Sequence, residues 1–127
     1  MTQLSSEWNN EAYVSLHLVQ EMLRMAGLPP RSSYSHWYPE YKVKVSRFNN
    51  NGLIEETIKK VDFLVEDIGR YINFLVEVKT ANTRIDDNAR VQLETYLKHS
   101  NTRYVLLIDP FLLEIYEYKV NLIYQVI

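Results

Sequence analysis

Cysteine is absent from this 127-residue chain, so disulfides, thiol chemistry and Cys-ligated zinc are excluded. Histidine is scarce. His17, His36 and His99 fall in separate segments with no ligand spacing, and are read as structural or surface residues. The opening "MTQLSSEWNN" is polar and lacks a signal-peptide core. The apolar closing stretch "VNLIYQVI" is far too short to span a bilayer. A soluble, cytoplasmic protein without a membrane partner is expected. Excess positive charge is missing too. The formal net charge is −2, which supplies no global attraction for nucleic acid, so any such binding needs a local basic face or a bridging metal. There is no internal repeat and no low-complexity tract.

What remains is ordinary in bulk. Apolar residues make up 46% and charged residues 24%, and the length fits one domain over residues 1–127. A first helix is expected within "SSEWNNEAYVSLHLVQEMLRMAGLPP", capped by Ser5, Ser6, Asn9 or Asn10. Ala12, Leu16, Val19, Leu23 and Ala26 recur at helical spacing and predict its buried stripe, with Glu11 on a neighbouring line. Gly27 and the prolines at 29 and 30 close it. "RSSYSHWYPE" reads as an aromatic loop and "YKVKVSRF" as an alternating strand. "NNNG" is a turn signal, "LIEETIKKVDFLVED" a long strand, and "DIGR" a turn into the strand "YINFLVEVKT". A second helix capped by Asp86 or Asp87 lies in "ANTRIDDNARVQLETYLKHS". "RYVLLID" is apolar throughout, as in a strand covered on both faces, and "LLEIYEYKV" alternates as a last or near-last strand. The order predicts an α/β mixed sheet with a parallel crossover through the second helix.

The chemistry concentrates where the sheet should be most apolar. Asp62, Glu77 and Lys79 interrupt "VDFLVEDIGRYINFLVEVKT". In a strand, Glu77 and Lys79 share a face. A hairpin turn at Ile68-Gly69, or over Asp67 to Arg70, sets Asp62 opposite Leu75, one diagonal step from Glu77. A slip by one residue would turn Asp62 to the other face. Two converging carboxylates suit a hard divalent cation such as Mg²⁺, which keeps waters and is usually held by one or two carboxylates plus substrate phosphate. Such an ion polarises a phosphoryl oxygen and acidifies a bound water, and a nearby lysine orients that water or stabilises developing charge. The plainer alternative is a solvated ion pair on an exposed sheet face. The apolar run at 104–108 argues against it, because burying unpaired charge is costly. On the second helix, Gln92 and Tyr96 project from one line with Ile85, Ala89 and His99, towards a metal site, a phosphate or simply the backbone.

Asp62, fourteen intervening residues and then Glu77-Val78-Lys79 at the end of an apolar strand resemble the core motif of the PD-(D/E)XK nuclease superfamily. "QLETY" resembles the Gln-x-x-x-Tyr element of several branches. "NEAYVSLHLVQEMLRMAG" resembles the family's first helix with its early Glu, here Glu11. The likeness spans about residues 9–118 and is strongest to the N-terminal nuclease-type domain of type I restriction enzyme R subunits. Val61 departs from the family's proline, at a position that does no chemistry. The resemblance implies a restriction-endonuclease-like sheet with an α-β-β-β-α-β-β core and a Mg²⁺- or Mn²⁺-dependent DNA endonuclease of restriction, defence or repair type. Asp62, Glu77 and the Val78 carbonyl would bind metal, with Glu11 in support. Lys79 would assist the attacking water, and Gln92 and Tyr96 would contact the site or the DNA backbone. A homodimer or larger homo-oligomer, or membership of a larger restriction or repair complex, follows from the need to cut two strands. Lys42, Lys44, Arg47, Lys59 and Lys60 are candidates for a basic DNA-binding face, and Tyr34, Trp37, Tyr38 and Tyr41 for an interface, a stacking surface or a cap on the sheet edge. The competing readings are a nuclease-fold DNA-binding or assembly subunit with weak or no cleavage, and a structural protein with surface ion pairs.

Overall fold

The computed structural model describes residues 5–127. A 3-10 turn, Ser6–Asn9, leads into a helical rod of three segments: α1 (Glu11–Val14), a π turn (Ser15–Val19) and α2 (Gln20–Met25). Asn10 caps the rod by accepting the Tyr13 N–H at 3.2 Å. Its end is a Schellman arrangement. Leu28 N–H donates to the Leu23 carbonyl and Gly27 N–H to that of Arg24, with Gly27 at φ 79°. The buried line is Val14, Val19 and Leu23, not the expected 12–16–19–23–26 stripe; Ala12, Leu16 and Ala26 face outwards. The π turn explains the correction, since its wider ring makes a step of five, from Val14 to Val19, return to the same side.

Strand β1 (Ser35–Phe48) begins earlier than expected, so residues 35–40 are strand rather than loop. Pro39 is tolerated because β1 is a sheet edge, where a missing N–H costs no ladder bond. The following turn is organised by Asn49, whose Oδ1 accepts from Asn51 N at 2.9 Å and Leu53 N at 3.0 Å. β2 (Ile54–Asp67) pairs antiparallel with β1 from Phe48↔Ile54 to Ser35↔Asp67. β3 (Ile72–Val78) then pairs with β2 from Asp67↔Ile72 to Phe63↔Val76. Leu75 lies opposite Leu64 rather than opposite Asp62, so the register differs by two residues from expectation. The turn is the reason. Its loop runs over residues 68–71, with a 3-10 turn at Ile68–Arg70 capped by Asp67 Oδ1 and Tyr71 in the left-handed region at φ 56°. A two-residue shift preserves facing, and one step past the last ladder pair, Phe63↔Val76, it moves Asp62 from the expected diagonal towards Glu77.

From β3 the chain crosses through α3 (Asp87–His99) to β4 (Tyr104–Ile108), which runs parallel to β3. β5 (Leu113–Lys119) and β6 (Leu122–Gln125) add antiparallel strands, the last one beyond the expected set. The result is a six-stranded mixed sheet in the order β1-β2-β3-β4-β5-β6. One core joins Val43, Val61, Leu75, Val105 and Leu107 to Leu93 and Leu97 of α3. The other joins Val65, Val76, Val78 and Ile108 to Val14, Val19 and Leu23 of the N-terminal rod. Helices therefore cover both faces, and β4 contributes to both cores as its apolar run predicted. Among the described residues no helix is long and apolar enough to cross a membrane.

Candidate active site

The site forms where β1 and β2 kink together. The ladder between them skips the pair Glu40–Asp62, and Glu40 has a φ of 51°. Trp37 and Phe63 pack against the rod, whereas Val43 and Val61 pack against α3, although all four numbers are odd. Strict alternation would hold them on one face. The break at residues 40 and 62 exchanges the faces and lets Asp62 sit at the sheet's frayed end. A proline one residue before Glu40 was the available signal, because proline inside a strand marks a bulge or an edge.

Asp62 closes the fray chemically. Its Oδ2 accepts the Val78 N–H at 2.7 Å, just beyond the last β2–β3 ladder pair. That bond brings the β2 carboxylate to the β3 segment Glu77-Val78-Lys79. Glu77 is buried, and Asp62 and Lys79 are half-buried. Burial raises the Asp62 carboxyl from 3.8 to about 7, aided by a hydrogen bond shared with Glu77 and by that group's charge. Glu11 reaches Asp62 from the start of α1. Its carboxyl rises from 4.5 to about 7, first through the hydrogen bond to Asp62 and then through burial, while the charge of Lys79 opposes the rise. Glu11, Asp62, Ser15, Pro39 and Glu40 line a cavity of about 310 Å³ on the rod side. Glu40, which the sequence did not single out, thus adds a third acid to that side.

α3 supplies the opposite wall. Asp86 caps it by accepting the Ala89 N–H at 2.8 Å. Tyr96 is buried beside Glu77. Desolvation, followed by the charge and hydrogen bonding of Glu77, pushes its phenol pKa up, so the hydroxyl stays protonated. One turn earlier, half-buried Gln92 lines a groove of about 460 Å³ with Lys79, Arg47 and Lys59. The helix is anchored by Asp109, another residue the sequence reading passed over. This buried carboxylate accepts from Ile85 N at 3.1 Å, Phe111 N at 2.7 Å, Leu112 N at 2.8 Å and Arg84 Nε at 2.9 Å. Burial pushes its carboxyl up, but these donors outweigh burial and hold it below the ordinary value. The clamp ties the segment between Lys79 and α3 to the end of β4.

The five candidate basic residues do not form one face. Arg47 and Lys59 lie on the α3 side in the groove. Lys42, Lys44 and Lys60 lie on the other side of the β1–β2 hairpin, with Lys42 paired to Lys60 and Lys44 bridged to Glu56 at 3.1 Å. The aromatic group also divides. Trp37 is buried and donates Nε1–H to the Leu28 carbonyl at 2.9 Å, Tyr41 is half-buried, and Tyr34 and Tyr38 are exposed. The histidines stay apart: His17 stacks on Tyr13, His36 on Tyr38, and His99 contacts the carbonyls of Thr95 and Ser46.

Among the described residues, no three His, Cys, Asp or Glu side chains are arranged to hold a metal ion between them. Two paired carboxylates are present, however, and Mg²⁺ commonly accepts one or two carboxylates and fills its remaining positions with water and substrate oxygens. The raised values of Asp62 and Glu11 mark crowded carboxyls that a cation would relieve. The donor set therefore fits a hard divalent ion. No family model, curated protein or solved structure matches the chain.

Proposed function

We propose that this chain is a metal-dependent DNA nuclease of the PD-(D/E)XK type, with a restriction-endonuclease-like arrangement of its mixed sheet. The observation that carries the reading is the meeting of Asp62 and Glu77 at the frayed end of β2 and β3, with Lys79 one pleat beyond. Asp62 and Glu77 would hold Mg²⁺ or Mn²⁺ with the Val78 carbonyl, and Glu11 would support the ion or its water. When bound, the ion would supply Lewis-acid polarisation of a phosphoryl oxygen and a more acidic water. Lys79, on the Glu77 face, is placed to orient the attacking water and to balance charge on the phosphate. Tyr96, buried beside Glu77 and held protonated, would help to keep that carboxylate oriented. Gln92 offers its amide to a phosphate in the adjacent groove.

Each chain presents one such site, so cutting both strands of a duplex calls for two copies acting as a homodimer or larger homo-oligomer, alone or within a restriction or repair complex. The test is cleavage of plasmid and branched DNA in Mg²⁺ or Mn²⁺ by wild type, Glu77→Ala and Lys79→Ala. The expected result is cleavage by wild type and a loss of at least about 10²-fold in each folded variant. Cleavage that survives both substitutions overturns the assignment.

A second reading has one observation in its favour. An Asp62 oxygen is already engaged by the Val78 N–H. On that reading the chain is a nuclease-fold DNA-binding or assembly subunit with weak or no cleavage. Wild type that binds DNA but cuts neither substrate supports it.

A further inference from the structure

Charge is distributed unequally about the frayed end of the sheet. On the rod side, Glu11, Glu40 and Asp62 line one cavity with no cation among its walls. On the α3 side, Arg47, Lys59 and Lys79 line the groove against a single carboxylate, Asp86. That carboxylate is engaged in capping α3. Arg47 stands across the ladder from Glu55, but Glu55 accepts from Asn49 Nδ2 at 3.1 Å, and Arg47, Lys59 and Lys79 form no ion pair among the described residues. Neutral donors complete the floor, with Asn88 and Gln92 projecting from α3. A cleft with three unpaired cations, neutral hydrogen-bond donors and an open mouth suits a chain of phosphates. The acidic cavity on the other side repels one.

We propose that the DNA backbone runs in the groove between α3 and the β1–β2 hairpin, with Arg47 and Lys59 each binding a phosphate beside the one that reaches Lys79. The path follows the α3 face, and Lys42, Lys44 and Lys60, on the reverse of the hairpin, take no part in it. The proposal rests on the nuclease reading for what happens at Lys79, but the groove's affinity is measurable without any cleavage.

The experiment is fluorescence anisotropy of a labelled DNA duplex and a labelled single strand in Ca²⁺, used as a non-catalytic ion, across a salt series. Wild type is compared with Arg47→Ala/Lys59→Ala and with Lys42→Ala/Lys60→Ala, and thermal melting verifies that each folds. The expected result is a roughly ten-fold loss of affinity in the first pair and a fall of about 2 in the log–log salt slope, one for each phosphate contact removed. The second pair is expected to stay within about two-fold of wild type. Which probe shows the effect identifies whether the groove takes a duplex or a single strand. Unchanged affinity in the groove pair, equal losses in both pairs, or no binding of either probe by wild type overturns the proposal. Cleavage is scored separately on the same proteins. Groove-dependent binding without cleavage sinks the nuclease reading and leaves the groove standing. Cleavage with affinity indifferent to Arg47 and Lys59 does the reverse.

Discussion

At the residue scale, Asp62 does two kinds of work that pull against each other. As a hydrogen-bond acceptor for Val78 N–H it holds the end of β3 in place. As a half-buried acid beside Glu77 and Glu11 it resists ionisation, with a value near 7 in place of 3.8. Because the folded value lies above the unfolded one, its contribution to stability is complete below about pH 4 and is lost as pH rises through about 7. Glu11 follows the same sign, from 4.5 to about 7. In chelator, Asp62→Asn should therefore raise stability by about 1–2 kcal/mol at alkaline pH, after discounting for solvent screening, and by almost nothing in acid. Asparagine keeps an acceptor for Val78 N–H, so the strand contact survives. Urea denaturation at both pH values measures the difference. Millimolar Mg²⁺ should reverse the ranking, raising the melting temperature of wild type but not of the variant.

At the scale of elements, two small devices set where the site residues meet. The first is the β2–β3 turn, whose left-handed Tyr71 is almost wholly exposed. A left-handed non-glycine residue costs about 1–2 kcal/mol, part of which glycine gives back through the freedom it adds to the unfolded chain. Tyr71→Gly should stabilise the fold by about 0.5 kcal/mol with cleavage and register unchanged, as read from denaturant midpoints. The second is the Asp109 clamp, four donors converging on one buried carboxylate. Asp109→Ala strands those donors and should cost about 3 kcal/mol. It should also loosen the lead-in to α3, so that thermal melting falls and the Gln92 and Tyr96 wall loses order. Asp109→Asn, which keeps one acceptor oxygen, should recover part of that stability if hydrogen bonding, rather than charge alone, is the main contribution.

At the scale of the whole molecule, the sheet ends in two edge strands, β1 and β6, and carries one candidate site per chain. If two copies cut two strands, the rate of linearising a plasmid should rise more steeply than first order in protein at concentrations below the dimer's dissociation constant, while nicking stays near first order. Sedimentation over the same concentration range tests whether the kinetic order follows assembly. Helices pack on both sheet faces, and the acidic and basic cavities open on the two sides of the frayed end.

Local chemistry alone was enough to determine the number and order of most elements, because each signal is short range. Gly27 stops a helix, the Asn-rich run at 49–52 turns a hairpin, Asp86 starts α3, and an unbroken apolar run makes β4 an inner strand. The shared facing of Glu77 and Lys79 was legible for the same reason, since alternation along a strand needs only residue numbers, whereas that of Asp62 and Glu77 depended on the turn between their strands. Three features were not legible. The π turn moves the buried line of the first helix, and periodicity presumes a uniform ring. The two-residue shift of register depends on how a turn closes in three dimensions. The paired kink at Glu40 and Asp62 exchanges faces in two strands at once, which leaves Glu40 and Asp62 in the rod-side cavity while Arg47 and Lys59 line the α3 groove. Such choices belong to tertiary structure because they depend on which distant side chains must be buried together, and no window of sequence contains both partners.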